Sequence, residues 1–318
     1  MKRRPTRREV VKLCGGGLAA SVFPPAVEGV VKPGRVAMTG VDPGTVSREA
    51  CLEAVARAVS AAIGVEPARR ALGRLFGGDD TVGIKVNSLG GAGMSPRVEL
   101  VEALVELLVE AGVARQRIIV FDRSSRELER AGYTICRRGG RYLCYGIDND
   151  YERLPSTSGA IGSCFARLAT SACTALISFG VVKDHDLAGV SAGLKNWYGV
   201  IHNPNKYHDS NCDPYVADVV RYQAVRSKLR LTVLDGIQAQ CHGGPALYRG
   251  GLFPLGLVAA STDPVAADAW AWRMIDHERT RRGMESLEDV GRPPSFIATA
   301  GRYGLGVADP EKGEWVRV

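Results

Sequence analysis

Two short apolar runs decide the fold: TVGIKVN at residues 81–87 and RIIVFD at residues 117–122. Both are rich in β-branched residues, which favours strands. Ser95-Pro96 predicts the start of a helix between them, and Gly112 predicts its end. The apolar residues of this helix fall on one face, at Val101, Leu104, Val105 and Leu108. A strand, a helix and a strand in this order predict a βαβ unit, and therefore a parallel sheet.

The rest of the chain continues this alternation. Strands are predicted at residues 175–181, 231–235 and 256–261, and helices at residues 47–63, 214–225, 264–275 and 294–303. We therefore expect a single α/β domain over residues 35–318, with its core at 80–275 and a mainly parallel sheet flanked by helices. Residues 183–212 have little periodicity and many Gly, Asn, His and Lys residues, which predicts a long functional loop.

The positive charge of the chain is concentrated at its start. Residues 1–12 contain six basic residues and one acidic residue, a net charge of +5 out of +7 for the whole chain, which leaves only +2 for residues 13–318. A nearly neutral body gives little electrostatic attraction for DNA or RNA. The sequence therefore predicts no nucleic-acid partner.

The same basic segment has the layout of an export signal. Residues 6–12, TRREVVK, resemble the twin-arginine consensus, and a weakly apolar stretch at 13–23 is followed by Pro24-Pro25-Ala26. We expect residues 1–27 to be a signal segment that engages the twin-arginine export machinery and directs the protein to the periplasm. Membrane contact is expected only through this segment, whether it is cleaved or remains as an anchor.

Eight cysteines are present, and one of them, Cys14, lies in the signal segment. No CxxC motif occurs, so neither an iron–sulfur cluster nor a zinc ribbon is expected. An oxidising destination permits disulfides, and two pairings close in sequence are candidates, Cys136 with Cys144 and Cys164 with Cys173.

Polar residues stand repeatedly where the predicted strands end. Ligands of open α/β sheets bind outside the carboxyl ends of the strands, so these residues are expected to converge on one crevice. The lysines would hold an anion, and the histidines would transfer protons or ligate a divalent metal, with Asp235 orienting one histidine. The candidate catalytic residues are Lys85, Lys183, His185, Lys195, His202 and Asp235. The candidate metal ligands are His185, His202 and His208.

A second group of residues is expected to contact the ligand directly. Gly permits close backbone approach, and amide side chains offer both donors and acceptors. The candidates are Asn87, Asn196, Gly243, Gly244 and Asp263. Asp263 precedes Pro264 at the start of a predicted helix, so a simple helix-capping role is the alternative for this residue.

The order of these motifs resembles one family, the uncharacterised domain of unknown function 362. The shared motifs are Ile84-Lys85-Val86-Asn87, Lys183 with His185, Gly193-Leu194-Lys195-Asn196, Asp235-Gly236, Gly243-Gly244-Pro245 and residues 261–268, STDPVAAD. The resemblance covers residues 80–275 and implies an α/β domain whose polar motifs mark a shared site. Relatives often carry ferredoxin-type cysteine clusters, which this chain lacks. Many also place an acid before the Gly-Pro turn, where this chain has Gln238, Gln240 and His242.

Two functional hypotheses follow. The first is an exported enzyme that acts on a small anionic or metal-bound ligand in the Lys/His/Asp crevice. The second is a non-catalytic periplasmic protein that binds a ligand or metal and delivers it to a redox partner. A purely structural role for the polar motifs, as caps and turns, explains the lysines at the strand ends poorly.

Overall fold

The computed structural model describes residues 32–318. The predicted signal segment, residues 1–27, lies outside the described residues, so its role stays a prediction. In the part of the chain that is described, no helix combines the length and the apolar character needed to span a membrane.

A large mixed sheet forms the centre of the described residues, in the order β12-β1-β11-β9-β7-β2-β3-β4. Strands β9, β7, β2, β3 and β4 are mutually parallel, while β11 runs antiparallel to both of its neighbours. The strands are β1 (Arg35–Gly40), β2 (Val82–Val86), β3 (Ile118–Phe121), β4 (Leu143–Cys144), β5 (Ser156–Ser158), β6 (Ile161–Ser163), β7 (Ala175–His185), β8 (Gly189–Ser191), β9 (Leu229–Gln240), β10 (Leu252–Phe253), β11 (Leu257–Ser261) and β12 (Glu314–Arg317). The predicted α/β fold with a mainly parallel sheet is confirmed.

Helices cover both faces of this sheet. The helices are α1 (Arg48–Ile63), α2 (Ala68–Leu75), α3 (Val98–Glu110), α4 (Ser125–Arg130), α5 (Tyr215–Arg221), α6 (Gln223–Arg226), α7 (Pro264–Arg281) and α8 (Ser295–Arg302). Helices α1 to α3 bury their apolar faces in one hydrophobic cluster with the strands, while α5, α7 and α8 share a second cluster and α7 also contributes to a third. Strands covered on both sides carry continuous apolar runs, and all eleven residues of β7 are buried.

Several predicted boundaries are confirmed, and others are wrong. Ser47 caps α1 by accepting from the Ala50 N–H at 3.1 Å, as the helix at 47–63 requires. Helix α3 begins at Val98, after Arg97, rather than at Ser95-Pro96. The helix predicted at 214–225 is broken at Tyr222 into α5 and α6.

The larger corrections concern the two longest strands. Strand β7 continues to His185, so Lys183 and His185 lie within the strand instead of after it. Strand β9 continues to Gln240, and Asp235, which was expected to end the strand, pairs with Val258 of β11 in its middle. Both extensions arise because flanking strands satisfy the backbone groups of these polar residues, which sequence periodicity does not report.

The segment at 183–212, predicted as a long loop, is largely ordered and buried. After β7 and β8 it forms short 3₁₀ turns at Lys195–Val200, Pro204–Tyr207 and Ser210–Cys212. The first of these turns buries five of its six residues, Lys195, Asn196, Trp197, Tyr198 and Val200. This packing brings its polar side chains back over the sheet.

The seven cysteines of the described residues are all free thiols. Cys136 and Cys144 do face each other in an isolated antiparallel bridge, with backbone N–H···O distances of 2.7 and 2.8 Å. Their sulfurs remain unbonded, and the Cys136 thiol lies 3.2 Å from the Gly139 carbonyl oxygen. Neither predicted disulfide is present.

Candidate functional site

A cavity of about 330 Å³ opens at the carboxyl ends of β2, β3 and β7. Its wall combines residues of these strand ends with residues of the 3₁₀ turns at 195–207. This is the edge of a parallel sheet where ligands are expected. The predicted residues that line it are Lys85, Asn87, His185, Lys195, Asn196 and His208.

A buried ion pair forms the floor of the cavity. Lys85 Nζ lies 2.5 Å from Asp122 Oδ1, because β2 and β3 are neighbouring parallel strands whose ends coincide. Asp122 Oδ2 also accepts from the N–H and the hydroxyl of Ser88, at 2.7 and 2.6 Å. Burial alone would raise the pKa of Asp122, but Lys85 and Ser88 together lower it below its usual value. The carboxylate is therefore charged and held in place.

Asn196 fastens the first 3₁₀ turn onto this floor. Its amide oxygen accepts from Lys85 Nζ at 2.9 Å, and its amide nitrogen donates to the Lys85 carbonyl oxygen at 2.7 Å. Gly199 of the same turn lies directly over the lysine, since a Cβ there would stand 2.7 Å from Lys85 Nζ. The absence of a side chain at this position lets the turn approach the ion pair.

Asp268 of α7 anchors the chain immediately before Lys195. Its carboxylate accepts from the Gly193 N–H at 2.7 Å and from the Leu194 N–H at 3.1 Å. Burial raises the pKa of Asp268 to about 7, against the opposing effect of these two hydrogen bonds. Helix α7, which shares a hydrophobic cluster with the first 3₁₀ turn, thereby sets the position of the cavity wall.

Lys195 enters the cavity with an unusual set of neighbours. Its Nζ lies 3.3 Å from His208 Nε2 and 3.8 Å from the centre of the Tyr198 ring, and its exposed fraction is 7%. Within residues 32–318, no carboxylate lies within ion-pair distance of this ammonium group. Desolvation lowers the pKa of Lys195 to about 8.

The two cavity histidines have defined hydrogen-bonding roles. His208 Nδ1 lies 3.0 Å from the Pro204 carbonyl oxygen, so this nitrogen carries the proton and Nε2 is free to accept. His185 Nδ1 accepts from the N–H groups of Leu187 and Ala188, both at 3.2 Å, which places its proton on Nε2. The two rings stack with centres 5.9 Å apart.

His185 is a neutral imidazole. Burial, followed by the charge of Lys195, lowers the pKa of His185 to about 2. Asp186 Oδ1 also lies 3.0 Å from Nδ1, but the two form no ion pair, because the ring is neutral. A neutral ring that donates from Nε2 is a potential hydrogen-bond donor to a ligand oxygen.

Sequence comparison places these motifs in one family. Residues 82–273 match the family described as Domain of unknown function (DUF362). The chain belongs to this family. No curated protein matches it. A protein from Thermotoga maritima, whose crystal structure was determined by the Northeast Structural Genomics Consortium, is similar with 12% identity and a TM-score of 0.47. The similarity covers 75% of this chain and 60% of the Thermotoga chain.

Not every motif of this DUF362 chain reaches the cavity. Lys183 is fully buried behind it, where its Nζ donates to the Met94 carbonyl oxygen at 3.1 Å and lies 3.5 Å from Asn87 Oδ1. Burial lowers the pKa of Lys183 to about 8. Asn87 therefore connects Lys183 to the cavity wall, and Lys183 acts on the cavity through its charge rather than by contact.

Two predicted catalytic residues lie elsewhere. His202 is exposed and packs edge-on against Tyr151, with ring centres 5.2 Å apart, because the turn at 195–200 carries it past the cavity. Asp235 accepts from the N–H groups of Arg97 and Ile237, at 2.9 and 3.0 Å, and lines a separate cavity. The prediction that Asp235 orients a histidine is wrong, since its position within β9 directs it to the start of α3.

Three predicted ligand-binding residues, Asp263, Gly243 and Gly244, lie outside the Lys/His cavity. Asp263 caps α7 by accepting from Val265 and Ala266, the alternative given by the sequence. Gly244 donates its N–H to Asp184 Oδ2 at 3.0 Å. Gly243 lines a third cavity beside Asp184, outside the Lys/His cavity.

The predicted metal set is not brought together. His185 and His208 share the cavity, but His202 does not reach it. No cluster of three or more His, Cys, Asp or Glu side chains suited to a metal ion occurs within residues 32–318. His185 Nδ1 is occupied by backbone donors, so the residues present do not fit the proposed divalent metal.

Three polar residues of the cavity lining were not assigned by sequence reasoning, Asp122, Tyr198 and Glu127. Asp122 ends the strand predicted at 117–122, which is the partner of the strand that carries Lys85 in the predicted βαβ unit. That adjacency is the signal that could have identified it. Tyr198 lies three residues after Lys195 in one short turn, a spacing that returns its ring to the lysine. Glu127 of α4 lines the cavity, and burial followed by the charge of Asp122 raises its pKa. No sequence pattern pointed to Glu127.

Proposed function

We propose that this protein is an exported enzyme that binds a small anionic ligand in the Lys/His cavity and transfers protons to and from that ligand. The observation that carries the proposal is the buried ammonium group of Lys195, which lines the cavity and has no carboxylate partner among the described residues. A buried charge is costly unless an opposite charge compensates it. A ligand anion would supply that compensation.

The size and charge of the cavity support a small anion. A volume of about 330 Å³ lies at the lower end of the usual range for small-molecule sites. Lys85 is neutralised by Asp122, whereas Lys195 and the buried Lys183 contribute positive charge, and Arg123 stands at the exposed rim. Asp186 also lines the cavity, and its charge opposes the lowering of the Lys195 pKa without forming an ion pair, so it compensates the ammonium group only in part.

Groups that transfer protons favour catalysis over simple binding. His208 presents a bare Nε2, His185 presents an Nε2–H, and Glu127 is a carboxyl group whose pKa is raised. An acceptor, a donor and a titratable acid around one cavity are the components of general acid–base chemistry. A non-catalytic delivery protein has no requirement for this set.

Calorimetric titration with acetate, pyruvate and inorganic phosphate tests the proposal. We expect at least one anion to bind, and Lys195→Met to weaken that binding at least tenfold. Lys206→Met is the matched control, because Lys206 is exposed and does not line the cavity. Equal affinity in wild type and Lys195→Met, with both variants folded by urea titration, would contradict the proposal. Binding by a protein that never turns over any anion would favour the non-catalytic alternative.

Export is tested separately. Residues 1–31 fused to a reporter that is active only after folded export should give signal in cells with a twin-arginine pathway. Changing both Arg7 and Arg8 to Lys should abolish the signal, while changing Arg3 and Arg4 should not. Export of the double Arg7/Arg8 variant at the normal level would refute the assignment.

A further inference from the structure

The three lysines near the cavity differ in what surrounds their amines. Lys85 Nζ contacts a carboxylate and an amide oxygen, and Lys183 Nζ contacts a carbonyl and an amide oxygen. Lys195 Nζ contacts a histidine nitrogen with a free lone pair, together with the face of an aromatic ring. Lys195 therefore has a proton acceptor where Lys85 has a counter-ion.

We infer that Lys195 is a nucleophile that forms an imine with the ligand, and that the ligand is a small oxo acid, a molecule with a carbonyl group beside a carboxylate. The inference rests on the proposed function and specifies its substrate class. A buried amine next to a base is an arrangement that activates lysine toward carbonyl carbon.

His208 is positioned to take the proton of this amine. The contact of Nδ1 with Pro204 O at 3.0 Å fixes the tautomer, and the 3.3 Å separation aims Nε2 at Lys195 Nζ. The lowered pKa of Lys195, about 8, agrees with this role, since about a tenth of the amine is neutral at pH 7. Imine formation requires that neutral fraction.

The reaction balances without any further reagent. The lone pair of neutral Nζ attacks the carbonyl carbon, the C–N bond forms, and the π electrons move to oxygen. The proton lost from nitrogen passes through His208 Nε2 to that oxygen, which gives a carbinolamine. His208, which received a proton from the Lys195 ammonium group before the attack, returns that proton to the hydroxyl oxygen; the C–O bond breaks, water leaves, and an iminium cation remains on Lys195. No atom is oxidised or reduced.

Other residues of the cavity lining offer donors for the other end of an oxo acid. Asn87 Nδ2 and Ser191 Oγ lie together at 3.4 Å, and both residues line the cavity. His185 Nε2–H is a donor suited to the oxygen on which negative charge develops. The positive charges of Lys183 behind the cavity and Arg123 at its rim favour a carboxylate on the carbonyl compound.

The test is reductive trapping on the full protein. Wild type is incubated with pyruvate or glyoxylate and sodium cyanoborohydride, and intact mass followed by peptide mapping locates the adduct. We expect one reduced adduct per chain, at Lys195. Lys195→Arg keeps the positive charge but has no competent amine and should give less than a tenth of the adduct. Lys206→Arg, at an exposed lysine, should match wild type.

His208→Gln provides a second measurement, because it removes the proton acceptor without touching the amine. Trapping should slow at least tenfold at pH 7 and recover as the pH is raised, where the amine loses its proton to solvent. An unchanged rate and pH profile would overturn the role of His208.

Calorimetry of wild type with the same two oxo acids separates the two proposals. Binding without an adduct at Lys195, or an adduct retained in Lys195→Arg, overturns the imine and leaves the anion site standing. Failure of every tested anion to bind overturns the proposed function and the imine with it.

Discussion

The buried pair Lys85–Asp122 allows a quantitative test of how the cavity floor is held. Lys85 is 1% exposed and Asp122 is 4% exposed, and their 2.5 Å contact is buried at the floor of the cavity. Asp122→Asn keeps the shape of the side chain but removes the counter-charge. Breaking one partner of a buried ion pair costs about 3–5 kcal/mol, because the remaining charge stays buried. We expect this loss in the free energy of unfolding.

The double variant Lys85→Met/Asp122→Asn distinguishes this explanation from general damage to packing. With both charges gone, the remaining cost is the unsatisfied Asn196 oxygen and the imperfect packing, about 1–3 kcal/mol. The losses of unfolding free energy in the single variants Lys85→Met and Asp122→Asn, added together, should then exceed the loss in the double variant by at least about 2 kcal/mol. This difference is the coupling energy expected for neighbouring residues.

Urea unfolding followed by tryptophan fluorescence measures these values. Glu53→Gln is the control, because its pair with Arg57 is exposed on both sides, 3.6 Å apart, and should contribute below about 1 kcal/mol. A loss below about 1 kcal/mol for Asp122→Asn, or additive losses in the double variant, would refute the view of the floor as a coupled buried pair.

Three further predictions concern the surroundings of the cavity. His185 has a folded-state pKa of about 2, so below its unfolded pKa of about 6.5 the unfolded chain binds a proton that the native state does not. The free energy of unfolding should therefore fall as the pH falls, by about 1.4 kcal/mol per pH unit. Urea titrations between about pH 6 and 4 should show a flatter slope for His185→Gln than for wild type. Gly244→Ala would place a Cβ 1.8 Å from the Asp184 carbonyl oxygen and should lower the free energy of unfolding by more than about 2 kcal/mol. Gly162→Ala is the control, because a Cβ there meets open space, and its effect should stay within about 1 kcal/mol. Equal losses in the two variants would refute the close packing of Gly244 against Asp184. Asp268→Ala leaves the N–H groups of Gly193 and Leu194 unpaired before the first 3₁₀ turn and should lower the free energy of unfolding by about 2–4 kcal/mol. It should also weaken anion binding, and unchanged anion affinity in calorimetry would count against its positioning role.

Much of the fold was predictable because local patterns specify it. The βαβ unit at 81–122 follows from strand composition and a helical apolar face, and these depend on near neighbours in the chain. The convergence of Lys85 and His185 on one sheet edge also followed, since the carboxyl ends of parallel strands share an edge. Strand ends were the weaker part: Asp235 is a polar residue that interrupts an apolar run, yet its strand continues because both neighbours pair with it.

The sequence by itself determined the mainly parallel α/β architecture, the family and six of the residues that line the cavity, because these depend on periodicity and on motifs read along the chain. Only the tertiary structure decided which of the three lysines meets a carboxylate and which meets a histidine. Lys85 meets Asp122 across two strands, while Lys195 meets His208 through a turn held by Asp268. The partner of a buried charge is set by which chain segments pack together, and no spacing within one segment specifies it.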